Sequence, residues 1–588
     1  MATRLPATDA VIIGLGWTGA IVAESLTAAG LRVVAIERGP WRDTAADFPT
    51  TSAPDELRYA IRHDLFLRPA QTTLTFRNRP GQTALPVRSW GSFLLPNGLG
   101  GAGVHWNAET WRFLPTDFTL KSHLTSRYGA DFLPPDMTIQ DWGVTYDDLE
   151  PHYDRFEYLC GTSGAAGNLG GSIQPGGNPF EGRRSRPYPT PPQKQPYGPT
   201  LFAEAARQMG YQPFPQPSGN LSKGYTNPHG VTLGPCTYCG FCERFGCGNY
   251  SKATAQTTLL PVLMRRDNFT ARTLSEVTRI NRDAGGRRAT GVTFVDVDGK
   301  EWEQPAEMVF LCAFQLFNVQ LLLLSGIGTP YDPQSGKGVV GRNYSYQVTS
   351  SVQGFFDDKV FNPFIASGAI GMCIDDFNGD NFDHGPHGFV GGGYMGMVQP
   401  NGRPILNTPT PPGTPTWGAA WKQAVKRHYL STILPATHGS CYSYRDCYLD
   451  LDPTWKDRFG RPLLRMTFDF HENEHRMSAF LTDRLAEIVQ HMGPRQVVKV
   501  PRTGTYSVVP YQTTHTCGGA IMGTDPGTSF TNRYLQSWYV PNLFVTGASA
   551  FPQNAGYNPT GTVAALAYWM LDAVHTRYLP SPGPLVQA

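Results

Sequence analysis

Apolar and polar positions along the 588-residue chain fall into a few recognisable rhythms. Near the start an unbroken apolar run, Ala10-Val11-Ile12-Ile13, predicts a buried strand. Residues 17–26 then carry apolar groups at helical spacing, and Val33-Val34-Ala35-Ile36 predicts a second strand. Residues 269–312 read as a β-meander: 289–296 alternates, Asp298-Gly299 turns, and 308–312 is a buried strand. Residues 317–324 predict an apolar helix stopped at Ser325-Gly326. Residues 346–504 have a different texture: β-rich segments, glycine-rich loops over 381–397, and an amphipathic helix over 477–492. This block reads as a second domain. The tail returns to a strand at 542–546 and a helix over 561–574. Residues 161–228, rich in Gly, Pro, Ser and Asn, predict a surface excursion.

The first strand–helix–strand unit carries chemistry. Gly14, Gly16 and Gly19 fit G-x-G-x-x-G between the first strand and the helix. Such glycines give a tight turn, a close backbone approach for a pyrophosphate, and close packing of helix on strand. The helix N-terminus offers unpaired N–H groups to the phosphates. Glu37, ending the second strand, stands where an acid holds a ribose hydroxyl. A second glycine-rich loop, Gly98-Leu99-Gly100-Gly101-Ala102-Gly103-Val104-His105-Trp106-Asn107, implies backbone packed against something flat or charged.

The formal charge of +2 includes no basic stripe, so nucleic acid is not an expected partner. No apolar run reaches membrane-spanning length, and the N-terminus has no secretory pattern of its own, which alone points to the cytoplasm. Four of the ten cysteines change the picture, falling in Cys236-x2-Cys239-x2-Cys242-x4-Cys247. Thiolates are soft ligands for iron or zinc. Structural zinc more often uses two separated pairs, whereas a run this close resembles one that wraps an iron–sulfur cluster. Zinc and disulfides are the alternatives. Cys160, Cys312, Cys373, Cys441, Cys447 and Cys517 show no ligand spacing and read as buried thiols, with Cys441–Cys447 pairing as an option on export.

Leu321-Leu322-Leu323-Leu324-Ser325-Gly326-Ile327-Gly328, Gly341-Arg342-Asn343, and Gly547-Ala548-Ser549-Ala550-Phe551-Pro552 through Asn558-Pro559 resemble the glucose–methanol–choline (GMC) oxidoreductases. The dinucleotide motif and the Gly100-Gly101 loop fit as well, so the resemblance covers nearly the whole chain. It implies an α/β (α+β overall) fold: a discontinuous Rossmann-like FAD domain (1–345 and 505–588, carrying the cysteine loop) with an inserted β-sheet substrate domain (346–504). It implies FAD rather than NAD, with contacts from Gly14, Gly16, Gly19, Glu37, Gly100, Gly101, His105, Asn107, Ala548, Ser549, Asn558, Pro559 and Thr560. In the family a His and a His or Asn at the motifs of His515 and Asn558 face the flavin, which implies that His515 is the base and Asn558 holds the substrate oxygen. Without those motifs the pair reads as a backbone-satisfied histidine and an asparagine in a turn. His105 matches the place of a histidine that some members join covalently to the flavin; otherwise it packs beside Trp106.

Within the family, Thr18-Gly19, the loop through Trp106, the cysteine cluster, Asn381-Phe382-Asp383-His384-Gly385-Pro386-His387-Gly388 and the terminal residues 582–588 are similar to flavoprotein subunits of membrane-bound gluconate 2-dehydrogenases and 2-keto-D-gluconate dehydrogenases. That resemblance implies oxidation of the C2 hydroxyl of D-gluconate, or of 2-keto-D-gluconate or another polyol. It implies a cluster of three irons (3Fe-4S) held by three of the cysteines, four irons (4Fe-4S) being the alternative. It further implies a multihaem cytochrome c subunit, ubiquinone as indirect acceptor, a small subunit carrying the export signal, and a place on the periplasmic face of the inner membrane. A soluble oxygen-using oxidase is the competing class, and the cysteine cluster speaks against it. A sugar-acid carboxylate wants an arginine; Arg112, Arg427 and Arg445 qualify by type only. Asn381, Asp383, His384 and His387 read equally as pocket lining or as a capped turn.

Overall fold

The computed structural model describes residues 2–49, 56, 65–88, 93–403, 405 and 407–587. Its first sheet is built on β1 (Thr8–Ile13) and β2 (Val33–Ile36), joined by a helix and paired in parallel. β1 is buried along nearly its whole length, as a parallel strand covered on both faces must be. β3 (Phe269–Arg272) extends this parallel set at one edge, Phe269 opposite Val33. β4 (Glu276–Arg282), β5 (Ala289–Val295) and β6 (Glu301–Leu311) form an antiparallel meander on the other side, giving the order β3-β2-β1-β6-β5-β4. The predicted meander over 269–312 therefore starts one strand late. β3 follows a long crossover and joins parallel to β2, and the chain then crosses behind Glu37, with Ser275 N–H donating to the Glu37 carbonyl at 3.0 Å.

The second sheet contains β7 (Val348–Phe355), β8 (Gly371–Ile374), β9 (Gly393–Val398) and β10 (Ala436–Gly439), in the order β7-β10-β9-β8. Short strands Thr432–Ile433 and Gln496–Val500 pair with β7, and Phe214–Pro215 pairs with β8. The chain then returns to the first sheet as β11 (Leu543–Val545), parallel to the last three residues of β6. β6 thus has two environments. Its N-terminal half pairs antiparallel with β5, and its C-terminal half is held between β1 and β11.

Helices that frame the two sheets include α1 (Trp17–Ala28), α2 (Tyr197–Gln208), α3 (Gln315–Leu324), α4 (Glu472–His491) and α5 (Thr560–Ala573), with a further helix, Tyr146–Cys160, packed on α5. α3, α4 and α5 lie where apolar spacing predicts them. α4 presents Met477, Leu481, Leu485, Ile488 and Val489 as its buried stripe and packs on β7 and β10. α1 and α5 pack on each other.

Residues 161–228 correct the surface-excursion expectation. They contain α2, which packs on β8 and β9, and they bury Ser163, Arg184, Thr190 and Asn220. Glycine and proline break any hydrophobic period here, yet side chains satisfy the backbone. Ser163 Oγ donates to the Asn220 carbonyl at 3.1 Å, and Glu181 accepts from the Asn168 N–H at 3.1 Å. Among the described residues no helix is long and apolar enough to cross a membrane.

Candidate active site

A cavity of about 430 Å³ opens between the two sheets. Of the residues expected to hold a cofactor, Gly14, Gly16, Glu37, Gly101, His105, Asn107, Ala548, Asn558, Pro559 and Thr560 line it, and so does His515. Gly19, Gly100 and Ser549 stand one layer behind. A Cβ on Gly19 would lie 2.1 Å from the Gly14 carbonyl oxygen, so only glycine lets α1 sit this close to β1. Gly100 N–H donates to Leu15 O at 2.8 Å, stitching the two glycine loops together. Ser549 Oγ accepts from Asn318 Nδ2 at 2.9 Å.

The dinucleotide end follows from backbone geometry. Gly14 has φ +90°, and a Cβ there would meet the Cys312 carbonyl at 2.7 Å. No side chain caps the N-terminus of α1, which leaves its first N–H groups for a ligand. Both Glu37 carboxylate oxygens are positioned, accepting from Leu15 N–H (3.0 Å) and Gly39 N–H (2.8 Å), and burial raises the carboxyl's pKa. Trp17 Nε1, His105 Nε2 and Asn107 Oδ1 are buried at the cavity without a hydrogen-bond partner among the described residues. Buried polar atoms are otherwise almost always paired. A bare helix N-terminus, an acid for a ribose and orphaned polar atoms around one cavity fit a flavin dinucleotide.

At the other end, loops from the first sheet meet side chains of the second. Asn558 Nδ2 lies 3.2 Å from His515 Nε2. Gln347 sets the tautomer. Its Nε2 donates to the carbonyls of Ala555 (3.4 Å) and Tyr557 (3.1 Å), which leaves Oε1 to accept from Nδ1 of both His515 and His438, the latter at 3.2 Å. With Nδ1 carrying the proton, the Nε2 lone pair of His515 faces Asn558 and the cavity. Burial, then His438, holds the His515 pKa well below the ordinary imidazole value, and burial puts His438 at about 4. Both rings are therefore neutral at neutral pH. Asn558 is aimed in turn by Tyr394, whose hydroxyl lies 3.2 Å from Asn558 Oδ1 and 3.0 Å from Glu109 Oε2. Burial pushes Glu109 up to about 7.

His105 is buried against Phe66, and burial followed by the Lys252 charge lowers its pKa to about 3. Lys252 ties this wall to the cysteine loop. Its Nζ, fully buried, donates to the carbonyls of Trp106 (3.0 Å), Cys242 (3.2 Å) and Phe245 (2.7 Å). Cys236, Cys239, Cys242 and Cys247 are all free thiols that do not line the cavity. Cys236 Sγ lies 3.6 Å from Ser367 Oγ, Cys242 Sγ 3.8 Å from Asn220 Oδ1, and Cys247 Sγ 3.6 Å from Ser251 Oγ. Asn220 also donates to the Asn107 carbonyl at 3.2 Å, so the loop lies directly behind the His105–Asn107 wall. The Lys252 charge acts on all four thiols, and four soft donors on one loop suit a thiolate-ligated group, although no three of their sulfur atoms lie within 4.8 Å of one another as a single bound ion would draw them.

None of the arginines proposed by type reaches the cavity. Arg112 is buried in a carboxylate cluster with Glu150, Asp154 and Glu157, Arg427 pairs with Asp357 at the surface, and Arg445 donates to the carbonyls of Pro333 and Gln334. His384 is buried on the Gly379 carbonyl in a turn, and Asn381, Asp383 and His387 do not line the cavity either. Arg244, on the cysteine loop, does line it. Its backbone is left-handed (φ +70°), its guanidinium lies 4.1 Å over the Tyr511 ring, and its Nε is ion-paired with Glu243 Oε1 at 3.5 Å. Sequence reasoning missed Arg244, Glu109, Gln347, Tyr394 and His438. The only signal for Arg244 is its place within the cysteine run.

Models of the GMC oxidoreductase N- and C-terminal domains match residues 144–349 and 443–567. The gluconate 2-dehydrogenase flavoprotein of Pantoea cypripedii is 49% identical over 595 residues, covering 100% of this chain and 97% of that one. A 2-methyl-1,2-propanediol dehydrogenase of Mycolicibacterium austroafricanum is 26% identical (98% of this chain, 97% of that one), and the fructose dehydrogenase large subunit of Gluconobacter japonicus 25% (98% and 99%). Among solved structures, pyridoxine 4-oxidase from Mesorbium loti shares the fold, with a TM-score of 0.54 at 16% identity over 97% of this chain and 99% of that one. With the cavity between the two sheets and the dinucleotide cradle on β1 and α1, these matches establish the chain as a member of the GMC oxidoreductases, an FAD-binding oxidoreductase.

Proposed function

We propose that this protein oxidises the C2 hydroxyl of D-gluconate to 2-keto-D-gluconate. The observation that carries this reading is the 49% identity over full length to a gluconate 2-dehydrogenase flavoprotein, joined to a cavity lined by a neutral base and by the guanidinium of Arg244. In this reading His515 Nε2 takes the hydroxyl proton, and Asn558 Nδ2 donates to the same oxygen. Bound FAD supplies the two-electron acceptor for the hydride that leaves C2. Gly14, Gly16, Glu37, Gly101, Ala548, Pro559 and Thr560 hold the cofactor, and Gly19, Gly100 and Ser549 support that wall. Arg244 meets the substrate carboxylate with its planar fork. Glu243 braces Arg244: its Oε1 lies 3.5 Å from Arg244 Nε, while its Oε2 accepts from Asn401 Nδ2 (3.0 Å) and Arg403 Nη2 (2.8 Å), which leaves the terminal Nη groups of Arg244 to meet the carboxylate. Residues 1–345 and 505–588 form the FAD-binding part and 346–504 the substrate part, with 197–215 added to the latter's sheet.

Anaerobic mixing with D-gluconate, 2-keto-D-gluconate, D-fructose and D-glucose, followed at the flavin absorbance, tests the substrate. Fast bleaching by gluconate alone is the expected result. Bleaching by 2-keto-D-gluconate alone moves the assignment to the sister activity, and no bleaching by any of them rejects the substrate class.

The cysteine loop supports an iron–sulfur cluster, three-iron in this proposal, held by Cys236, Cys239, Cys242 and Cys247 or by three of them. A cluster carries single electrons away from a two-electron centre, which suits a dehydrogenase that delivers to a cytochrome c partner and quinone on the periplasmic face of the membrane. Histidine 105, neutral and orphaned at Nε2, supports a covalent link to the flavin. One preparation checks all of these. Acid-precipitated protein retains its yellow colour, elemental analysis finds iron with acid-labile sulfide, and a c-type cytochrome co-purifies from membranes. Colour released into the supernatant removes the covalent link, zinc without iron removes the cluster, and a flavoprotein that reduces oxygen fast and binds no cytochrome removes the partner.

A further inference from the structure

A second group of metal-type donors lies away from the cavity, where the sequence shows no ligand spacing. We propose that Asp446, Cys447 and His471 bind a single divalent transition-metal ion, zinc by donor chemistry, with Asp136 orienting the histidine. One ligand atom from each of the three lies within 4.8 Å of the others. His471 Nε2 is 3.0 Å from Asp446 Oδ1, Cys447 Sγ is 3.8 Å from that oxygen, and Sγ is 3.9 Å from Nε2. Zinc binds oxygen and nitrogen at about 2.0 Å and sulfur at about 2.3 Å, so a tetrahedral ion sets its ligand atoms roughly 3.3–3.6 Å apart. The observed triangle needs shifts of only a few tenths of an ångström to match.

The supporting contacts are those of a metal site. The other ring nitrogen, His471 Nδ1, lies 3.2 Å from Asp136 Oδ2. A carboxylate behind a ligating imidazole fixes its tautomer and makes it a better ligand. The Tyr444 ring stacks on the imidazole at 3.7 Å with an interplanar angle of 4°, and the Tyr444 hydroxyl is anchored on buried Glu474 at 2.9 Å. The imidazole plane is therefore held from one face and one edge. Cys447 is 1% exposed, while the Asp446 side chain is half exposed, which leaves a fourth position open to water. One sulfur, one nitrogen and one oxygen favour zinc over magnesium or calcium, which take oxygen ligands. On binding, the Cys447 thiol proton goes to solvent and the S–Zn bond replaces S–H.

The ion would tie three segments together: the Asp136 loop, the 441–447 segment and the start of α4. Cys441 bridges to Asn554 through the backbone, and Asn554 Nδ2 donates to the His515 carbonyl at 3.2 Å, so the clamp would sit behind the catalytic loop without touching substrate.

Zinc titration of the EDTA-treated holoenzyme tests this, with zinc content measured after dialysis and Tm measured in parallel. The expected result is one zinc per chain and a raised Tm. Cys447→Ser and His471→Gln weaken uptake about 100-fold or more, and Asp136→Asn weakens it roughly 10–100-fold, while the four cysteines of residues 236–247 stay intact in every variant. Should a ligand variant fail to fold, the wild-type titration and the exposed Asp136→Asn variant still decide. Failure of the wild type to take up zinc, or uptake unchanged in Asp136→Asn and Cys447→Ser, overturns the proposal and leaves His471 as an ion-paired structural residue.

Discussion

His515→Ala lowers the rate of flavin reduction by D-gluconate roughly 10²–10⁴-fold, the usual worth of a positioned general base. The effect is large because the other neutral imidazole of this wall, His438, has its ring centroid 6.1 Å from that of His515 and has no Asn558 beside it. His515 Nε2 faces Asn558 at 3.2 Å, and Gln347 holds Nδ1 as the donor. The pH dependence follows from the same burial. An imidazole whose pKa is lowered keeps its basic, neutral form as the pH falls through about 6.5, the ordinary value, and loses it only further down. Wild-type reduction therefore shows no His515-dependent loss as the pH falls from about 7.5 through about 6.5, the ordinary imidazole value. Anaerobic stopped-flow measurements across that range check both statements. An alanine variant at the wild-type rate would remove His515 from the chemistry. A wild-type rate that collapses with an apparent pKa near 6.5 would show instead that the ring is solvated.

Arg244→Gln raises the KM for gluconate by roughly 30- to 1000-fold. Losing one member of a desolvated charge pair costs about 2–4 kcal/mol, and each 1.4 kcal/mol is tenfold. Arg244→Lys recovers only part of this, because a point charge does not reproduce the two-pronged contact with a carboxylate. Because Arg244 sits between Cys242 and Cys247, iron content is measured alongside, so that damage to the loop is not mistaken for lost substrate binding. An unchanged KM in a variant with full iron content would place the carboxylate elsewhere in the cavity.

What was legible in the chain beforehand was whatever chemistry attaches to local spacing. Gly14, Gly16 and Gly19 occupy positions that a phosphate-facing turn requires, and α3, α4 and α5 follow apolar periods. Non-local pairing was not legible. β3 follows directly before a meander in sequence, so adjacency suggested a fourth antiparallel strand, whereas its partner is β2, more than 200 residues away. The substrate end of the cavity was half legible. His515 and Asn558 carry family motifs, but Tyr394 and His438 lie on short strands, β9 and β10, whose glycines obscure alternation. Gln347 precedes β7 as one polar residue among many. Arg112 shows the opposite failure, since an arginine chosen by type turns out to neutralise Glu150, Asp154 and Glu157 in the interior.

The place of β11 bears on how the protein is made. The cavity is lined from Ile13 to Val563, and β11, which completes the parallel set beside β6, comes from the last tenth of the chain. A nascent chain that has displayed its whole N-terminal glycine motif still lacks the strand that closes the sheet and the loop that carries Asn558. Long-range strand pairing of this kind forms late and slowly. The cofactor wall is therefore complete only once this late segment has docked, and a chain cut after Asn558, which loses α5 and the cavity-lining Pro559 and Thr560, is expected to retain less flavin on gel filtration than the full chain.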